Sequence, residues 1–179
     1  MASALLVVLR FGAAPEMIKD VTKQVLGVTY IPFLLAFLLL IRNDADGTVW
    51  IYFILAIVFA GDISALYIGS TYGRHKLSPA VSPGKTIEGS LGGLAANLAI
   101  GCMIKLLFLP TLNWPLTVLF CLLVGAAGQL GDLFESVLKR SSQVKDSGGL
   151  LPGHGGILDR IDALLFAAPI AYLFKIHIF

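Results

Sequence analysis

The sequence predicts an all-α fold, a polytopic membrane helix bundle with about five transmembrane helices and a cytoplasmic N-terminus. Three observations predict it. Of 179 residues, 57% are hydrophobic and only 13% charged, with a mean hydropathy of +0.87. Soluble domains carry roughly 25% charged residues, and so few charges cannot cover a globule. Five apolar stretches are long enough to cross a bilayer, which takes about 20 residues. The basic residues gather in alternate connecting segments. The same composition excludes disorder, and a net charge of +2 gives a nucleic-acid partner no electrostatic support.

Residues 1–24 read as an interfacial N-terminal segment. Their apolar start is too short to span, and Glu16, Lys19, Asp20 and Lys23 follow it. No basic stretch precedes that start, so it does not read as a signal peptide. Residues 25–179 read as one membrane-embedded domain. Its expected spans are Val25–Ile41, Val49–Gly69, Ile87–Leu109, Leu116–Glu135 and Ile157–Ile178. Pro32 and Pro169 fall inside the first and last, where a membrane helix tolerates a kink. Cys102 and Cys121 lie in apolar runs without CxxC spacing and read as small buried hydrophobes.

Orientation follows from the loops. Arg10, Lys19 and Lys23 precede the first span; Arg74, Lys76 and Lys85 lie in 70–86; Lys139, Arg140 and Lys145 lie in 136–156. With five spans these segments share one side, which the positive-inside rule makes cytoplasmic.

Several polar groups fall where a membrane helix should have none. Asp62 lies in the second span, Gln129, Asp132 and Glu135 in the fourth, Glu88 at the start of the third, and Asp159, Arg160 and Asp162 at the start of the fifth. A carboxylate in the bilayer costs roughly 2.5–3.5 kcal/mol even on lenient scales. Simple pairing, as of Arg160 with one carboxylate, explains any single residue more easily than the whole set. With the orientation above, four helices aim acids at one cytoplasmic layer, Asp62 about 10 Å deep. The basic loops border that layer. Carboxylates beside Lys, Arg and glycine-rich loops suit Mg²⁺ and a polyphosphate.

The loops fit this reading. Residues 82–89 are Ser-Pro-Gly-Lys-Thr-Ile-Glu-Gly, with a helix beginning near Thr86 whose N-terminus offers N–H groups to an anion. Helix capping accounts for the stretch equally well, and it lacks the spacing of a Walker A loop. The loop from Asp146 to Gly156 is rich in glycine and leads into the helix bearing Asp159. Glycines permit a ligand close approach to the backbone. His154 reads as a hydrogen-bond donor to phosphate rather than a metal ligand, and His75 and His177 as interfacial.

Ser136-Val-Leu-Lys139-Arg140, Lys145-Asp146, Leu151-Pro152-Gly-His154-Gly-Gly156 and Asp159-Arg160-Ile-Asp162 together resemble the signature of the phosphatidate cytidylyltransferases. Gly128-Gln129-Leu-Gly131-Asp132-Leu-Phe-Glu135, Asp62-Ile-Ser-Ala-Leu-Tyr-Ile-Gly69, Gly73-Arg74-His75-Lys76-Leu77 and Ser82-Pro-Gly-Lys85-Thr86-Ile-Glu88-Gly89 extend the likeness. It runs from about Tyr52 to the C-terminus. Family members usually have Tyr where this chain has Leu66, and usually carry more N-terminal helices, so a short or N-terminally truncated member is expected. A related archaeal family making CDP-archaeol is also short, but its loop signatures match less well.

The resemblance implies that residues 25–179 form a cytidylyltransferase domain transferring the cytidylyl group of CTP to phosphatidate, giving CDP-diacylglycerol and pyrophosphate. It implies Mg²⁺, with a monovalent cation left open, and metal ligands Asp132 and Asp159, then Asp62 and Asp162. Lys85, Lys139, Arg140, Lys145 and Arg160 would hold phosphates. Ser82, Thr86, His154, Gly155 and Gly156 would position CTP, with Glu88 and Asp146 also in the binding set. The expected location is the cell inner membrane, with the site on the cytoplasmic side and a homodimer left open. An ion-coupled transporter and a non-catalytic membrane subunit are the alternatives. A transporter would place its acids near the bilayer centre without crowded basic loops.

Overall fold

A computed structural model describes Thr22 and residues 25–144, 147–148 and 156–179. The interfacial reading of residues 1–24 therefore lies almost wholly outside the described residues. Five helices follow in order: α1 (Val25–Arg42), α2 (Gly47–Tyr72), α3 (Ile87–Phe108), α4 (Trp114–Ser141) and α5 (Leu158–His177). Between α2 and α3 lies a small antiparallel hairpin, β1 (Lys76–Ser78) and β2 (Ser82–Thr86), with Lys76 opposite Thr86 and Ser78 opposite Ser82. The sequence alone predicts a loop here. Its residues alternate too little to betray a strand, and the pairing depends on the register set by the turn.

The helices α1 to α4 are long and apolar enough to cross a membrane. At about 1.5 Å per residue, α5 is also long enough, but Asp159, Arg160, Asp162 and Lys175 make it less apolar. Side chains such as Val28, Leu39, Tyr67 and Leu107 point outward from the bundle, each about two-thirds exposed. An apolar outer surface of this extent is what a bilayer covers.

Local sequence sets the helix ends. Asn113 caps α4, its side chain accepting from the Leu116 N–H, with Pro115 in the first turn, where its missing donor costs nothing. The chain turns between α1 and α2 through Asp46 at φ 52°, a left-handed conformation that Asp tolerates better than most residues. Inside α1, Pro32 lies in a π-turn over Thr29–Phe33, which absorbs its missing N–H.

Small residues decide how the helices cross. Gly89, Gly93, Asn97, Gly101 and Lys105 recur every four residues as the buried stripe of α3. A Cβ on Gly89 would lie 2.6 Å from the Ala65 carbonyl oxygen, and one on Gly93 2.9 Å from that of Gly61. This is small-residue packing of the kind that lets membrane helices approach backbone to backbone. On the other side, Gly131 of α4 meets the Asp162 carbonyl and Phe166 of α5. At one end of the bundle an aromatic cluster of Trp50, Phe53, Phe120, Phe174 and Phe179 fills the core. The other end holds Asp132, Glu135, Asp159 and Asp162.

Candidate active site

The two glycine crossings bring the acids together. The α2–α3 contact sets Asp62, beside Gly61, against the start of α3. The α4–α5 contact at Gly131 sets Asp132 and Glu135 beside Asp162. Asp62, Asp132 and Asp162 consequently lie within electrostatic reach of one another and of Lys85. Asp62 stands ten residues before the end of α2, because that helix runs on to Tyr72 rather than stopping near Gly69. It therefore lies about 15 Å along the axis from that end, deeper than the sequence suggested.

A cavity of about 330 Å³ opens between α2, the hairpin, α3 and α4. Asp62, Ser82, Lys85, Thr86 and Asp132 line it, together with Gly69, Gly89 and the apolar Ala65, Leu66 and Leu77. Lys85 reaches from β2 to place Nζ 2.6 Å from Asp132 Oδ2. An ammonium carries three donors and Asp132 takes one side of it, so the remaining donors can serve an anion. Thr86 caps α3, its Oγ1 accepting from the Gly89 N–H at 3.1 Å, so the capping reading of this residue holds alongside its place in the cavity wall.

Two lining residues, Gln129 and Ser90, were missed as site residues. Gln129 Nε2 donates to the Ser90 carbonyl at 2.9 Å, and the Ser90 hydroxyl donates back to Gln129 Oε1. The available signal was Gln129 itself, an amide inside an apolar helix, and its partner lies 39 residues away.

A second charged group adjoins the first. Glu135 is fully buried, and Lys139 Nζ lies 2.5 Å from its Oε2 and 2.7 Å from Asp159 Oδ1. Asp159 Oδ2 accepts from Ser147 N at 2.9 Å, Ser147 Oγ at 2.8 Å and Gly156 N at 2.7 Å. It thereby joins the two described ends of the glycine-rich loop. Gly156 is buried here.

Other expected site residues stand outside the cavity wall. Glu88 accepts from the backbone N–H groups of Arg74 and His75, and its Oε1 lies 2.6 Å from His75 Nδ1, so it clamps the turn between α2 and β1. Arg140 Nε donates to the Val81 carbonyl at 3.2 Å, tying the end of α4 to the turn of the hairpin. Arg160 is exposed. Lys145, Asp146, His154 and Gly155 lie outside the described residues.

The donor chemistry suits a hard cation. Among the described residues no three of His, Cys, Asp and Glu are drawn together as a ready metal cage, and Mg²⁺ does not need one. It usually takes one or two carboxylates, waters and substrate phosphates. Asp132 and Asp62 on the cavity wall, with Asp162 behind, meet that requirement. Asp159 is already engaged by four donors.

A model of the cytidylyltransferase family matches residues 1–178. The chain is 40% identical over 148 residues to the phosphatidate cytidylyltransferase of Bacillus subtilis, covering 82% of this chain and 55% of that protein. It is 44% identical over 149 residues to the phosphatidate cytidylyltransferase of Brucella abortus, covering 83% and 55%. An uncharacterized Escherichia coli protein, YnbB, is 45% identical over 132 residues, covering 74% and 44%. The chain spans about half the length of the curated relatives it matches. It belongs to the cytidylyltransferase family.

Proposed function

We propose that this member of the cytidylyltransferase family transfers the cytidylyl group of CTP to phosphatidate, yielding CDP-diacylglycerol and pyrophosphate at the cytoplasmic face of the inner membrane. The observation that carries the reading is the Lys85–Asp132 pair on the wall of a cavity lined by both polar and apolar residues. One reactant is a nucleotide and the other a lipid, and such a wall offers a surface to each.

In the reaction a phosphate oxygen of the lipid bonds to the α-phosphorus of CTP, and the bond to the β-phosphate oxygen breaks as pyrophosphate leaves. The attacking oxygen is already ionised at neutral pH, so the residues need to position and neutralise charge rather than to abstract a proton. Lys85 would hold a phosphate with the ammonium that faces the cavity. The hairpin carrying it is secured by Glu88 at its base and Arg140 at its turn. Asp132, Asp62 and Asp162 would hold Mg²⁺, which when bound neutralises phosphate charge. Asp159, with Lys139 and Ser147, would shape the glycine-rich loop for the nucleotide.

The test is CTP-dependent formation of CDP-lipid by the purified protein in detergent with phosphatidate and Mg²⁺. Wild type should turn over and Asp132→Asn should not, with both eluting as the same folded species on size exclusion. Full Mg²⁺-dependent activity in Asp132→Asn, or none in wild type, would overturn the reading.

A further inference from the structure

The hydroxyls of Ser70 and Thr71 donate to the Tyr67 carbonyl, that of Thr117 to the Asn113 carbonyl and that of Ser141 to the Leu138 carbonyl. Each turns back about one turn along its own helix, the usual outlet for a helical hydroxyl. The Ser90 hydroxyl instead crosses from α3 to Gln129 Oε1 of α4, and Gln129 Nε2 donates to the Ser90 carbonyl at 2.9 Å. An amide held at both ends by one residue fixes the rotation of two helices as well as their separation, because moving either helix breaks a directed bond.

The place of this pair gives it more to do than packing. Deeper in the bundle, small residues already bring α3 and α4 together: Gly101 makes room for the Cys121 thiol and Gly125 for the Asn97 amide. Ser90 and Gln129 stand where the cavity opens between the helices, and both line it. The amide fits there because Gly93 has no side chain, a Cβ at that position lying 3.1 Å from Gln129 Nε2. On α3, Ser90 closely follows Lys85 and the Thr86 cap. On α4, Gln129 precedes Asp132 by about one turn, which puts the two on one helix face. The pair thus sits within a few residues of both partners of the 2.6 Å Lys85–Asp132 contact.

We propose that Ser90 and Gln129 are a positioning pair of the site: their reciprocal hydrogen bonds set the start of α3 against α4 and so fix the Lys85 ammonium against the Asp132 carboxylate. The catalytic consequence rests on the cytidylyl-transfer reading; the effect on Lys85 does not.

The experiment uses the full chain in detergent, its lysines reductively methylated with isotope-labelled formaldehyde, which keeps each amine cationic and gives it an NMR signal. Lys85→Arg identifies the Lys85 signal, and Asp132→Asn shows where that signal moves without the carboxylate. Ser90→Ala and Gln129→Met should each move it toward the Asp132→Asn position. The double variant should move it no further than the larger single change, because either substitution breaks the same clasp. Ser90→Ala removes only a hydroxyl, and its result stands if Gln129→Met does not fold. A Lys85 signal at the wild-type position in Ser90→Ala would overturn the proposal whether or not the protein turns over CTP. In the CDP-lipid assay each single variant should lower kcat/KM for CTP by about fivefold or more while remaining folded at the assay temperature. Unchanged turnover, or a loss explained by unfolding at that temperature, would reduce the pair to helix packing and overturn its positioning role. Losses that multiply in the double variant would mean two independent contacts and overturn the clasp. A wild type without activity would instead strike at the reaction, while the NMR comparison still judges the pair.

Discussion

Lys85 and Arg140 show how residue chemistry is shared out at this site. Both are basic and both precede or end a helix in the sequence. Lys85 is directed into the cavity, where its compact ammonium meets Asp132. Arg140 lies on the surface and uses Nε to hold the Val81 carbonyl. Its fork leaves further donors for a phosphate, a geometry lysine cannot copy. Arg140→Lys keeps the charge and should still lower turnover about tenfold, or 1.4 kcal/mol in the transition state, with unchanged membrane topology. Turnover equal to wild type in the CDP-lipid assay would remove Arg140 from the site. Glu88, placed in the binding set by resemblance, accepts from the backbone of Arg74 and His75 in the turn before the hairpin. Sequence spacing marks a residue as unusual without saying which neighbour its oxygens will meet.

At the scale of elements, the α2–α3 pair rests on backbone proximity. Gly93→Val would push a branched side chain into the Gly61 carbonyl and toward the Gln129 amide, 3.1 Å from a Cβ at that position. Overpacking of this kind costs about 1–3 kcal/mol, so the variant should show a lower thermal midpoint in detergent. Because Gln129 and Asp62 flank the same crossing, it should also lose activity before it unfolds. A midpoint and turnover like those of wild type would mean that the helices can separate at no cost.

A different element contact closes the far end of the bundle. Lys175 of α5 is buried and pairs with Asp44 in the turn between α1 and α2, with its ammonium 5.7 Å from the Trp50 ring. The Lys175 hydrogen bond holds the Asp44 carboxyl below its usual value. A lowered folded value means that the contribution is complete above the ordinary Asp range, near 3.9, and is lost as pH falls through the lowered value. The stability gap between wild type and Asp44→Asn should thus be largest near neutral pH and close below about pH 4. Thermal unfolding in detergent across that range checks it, and a gap that widens on acidification would contradict the clasp. The clasp also answers how a lysine sits at the end opposite the basic loops, since its charge is neutralised internally.

For the whole molecule, the open question is which side of the membrane the site faces. The positive-inside rule, applied to the three basic segments of the sequence, predicts the cytoplasmic side. Ser78→Cys, in the hairpin, and Ser147→Cys, in the glycine-rich loop, should both be protected from an impermeant thiol reagent in intact cells and labelled after permeabilisation. Labelling of both from outside would reverse the orientation.

What was legible in the sequence and what was not divides along a physical line. The apolar runs determined five helices, because a bilayer-length stretch of apolar side chains has few alternatives, but α4 runs six residues past Glu135 to Ser141 and carries Lys139 and Arg140, expected in the loop. Intramembrane polar residues marked Asp62, Gln129, Asp132 and Asp162 as unusual, because each is costly in lipid. Tertiary structure decided how they combine. Asp62 and Asp132 belong to one cavity wall because glycines on α3 and α4 let three helices approach closely. Asp159, a metal ligand beside Asp132 by resemblance, gathers Lys139, Ser147 and Gly156, an arrangement that spacing does not reveal. Helix formation in a membrane is set by side chains acting one at a time against lipid. The site depends on distances between helices, and those follow from which small residues happen to face one another.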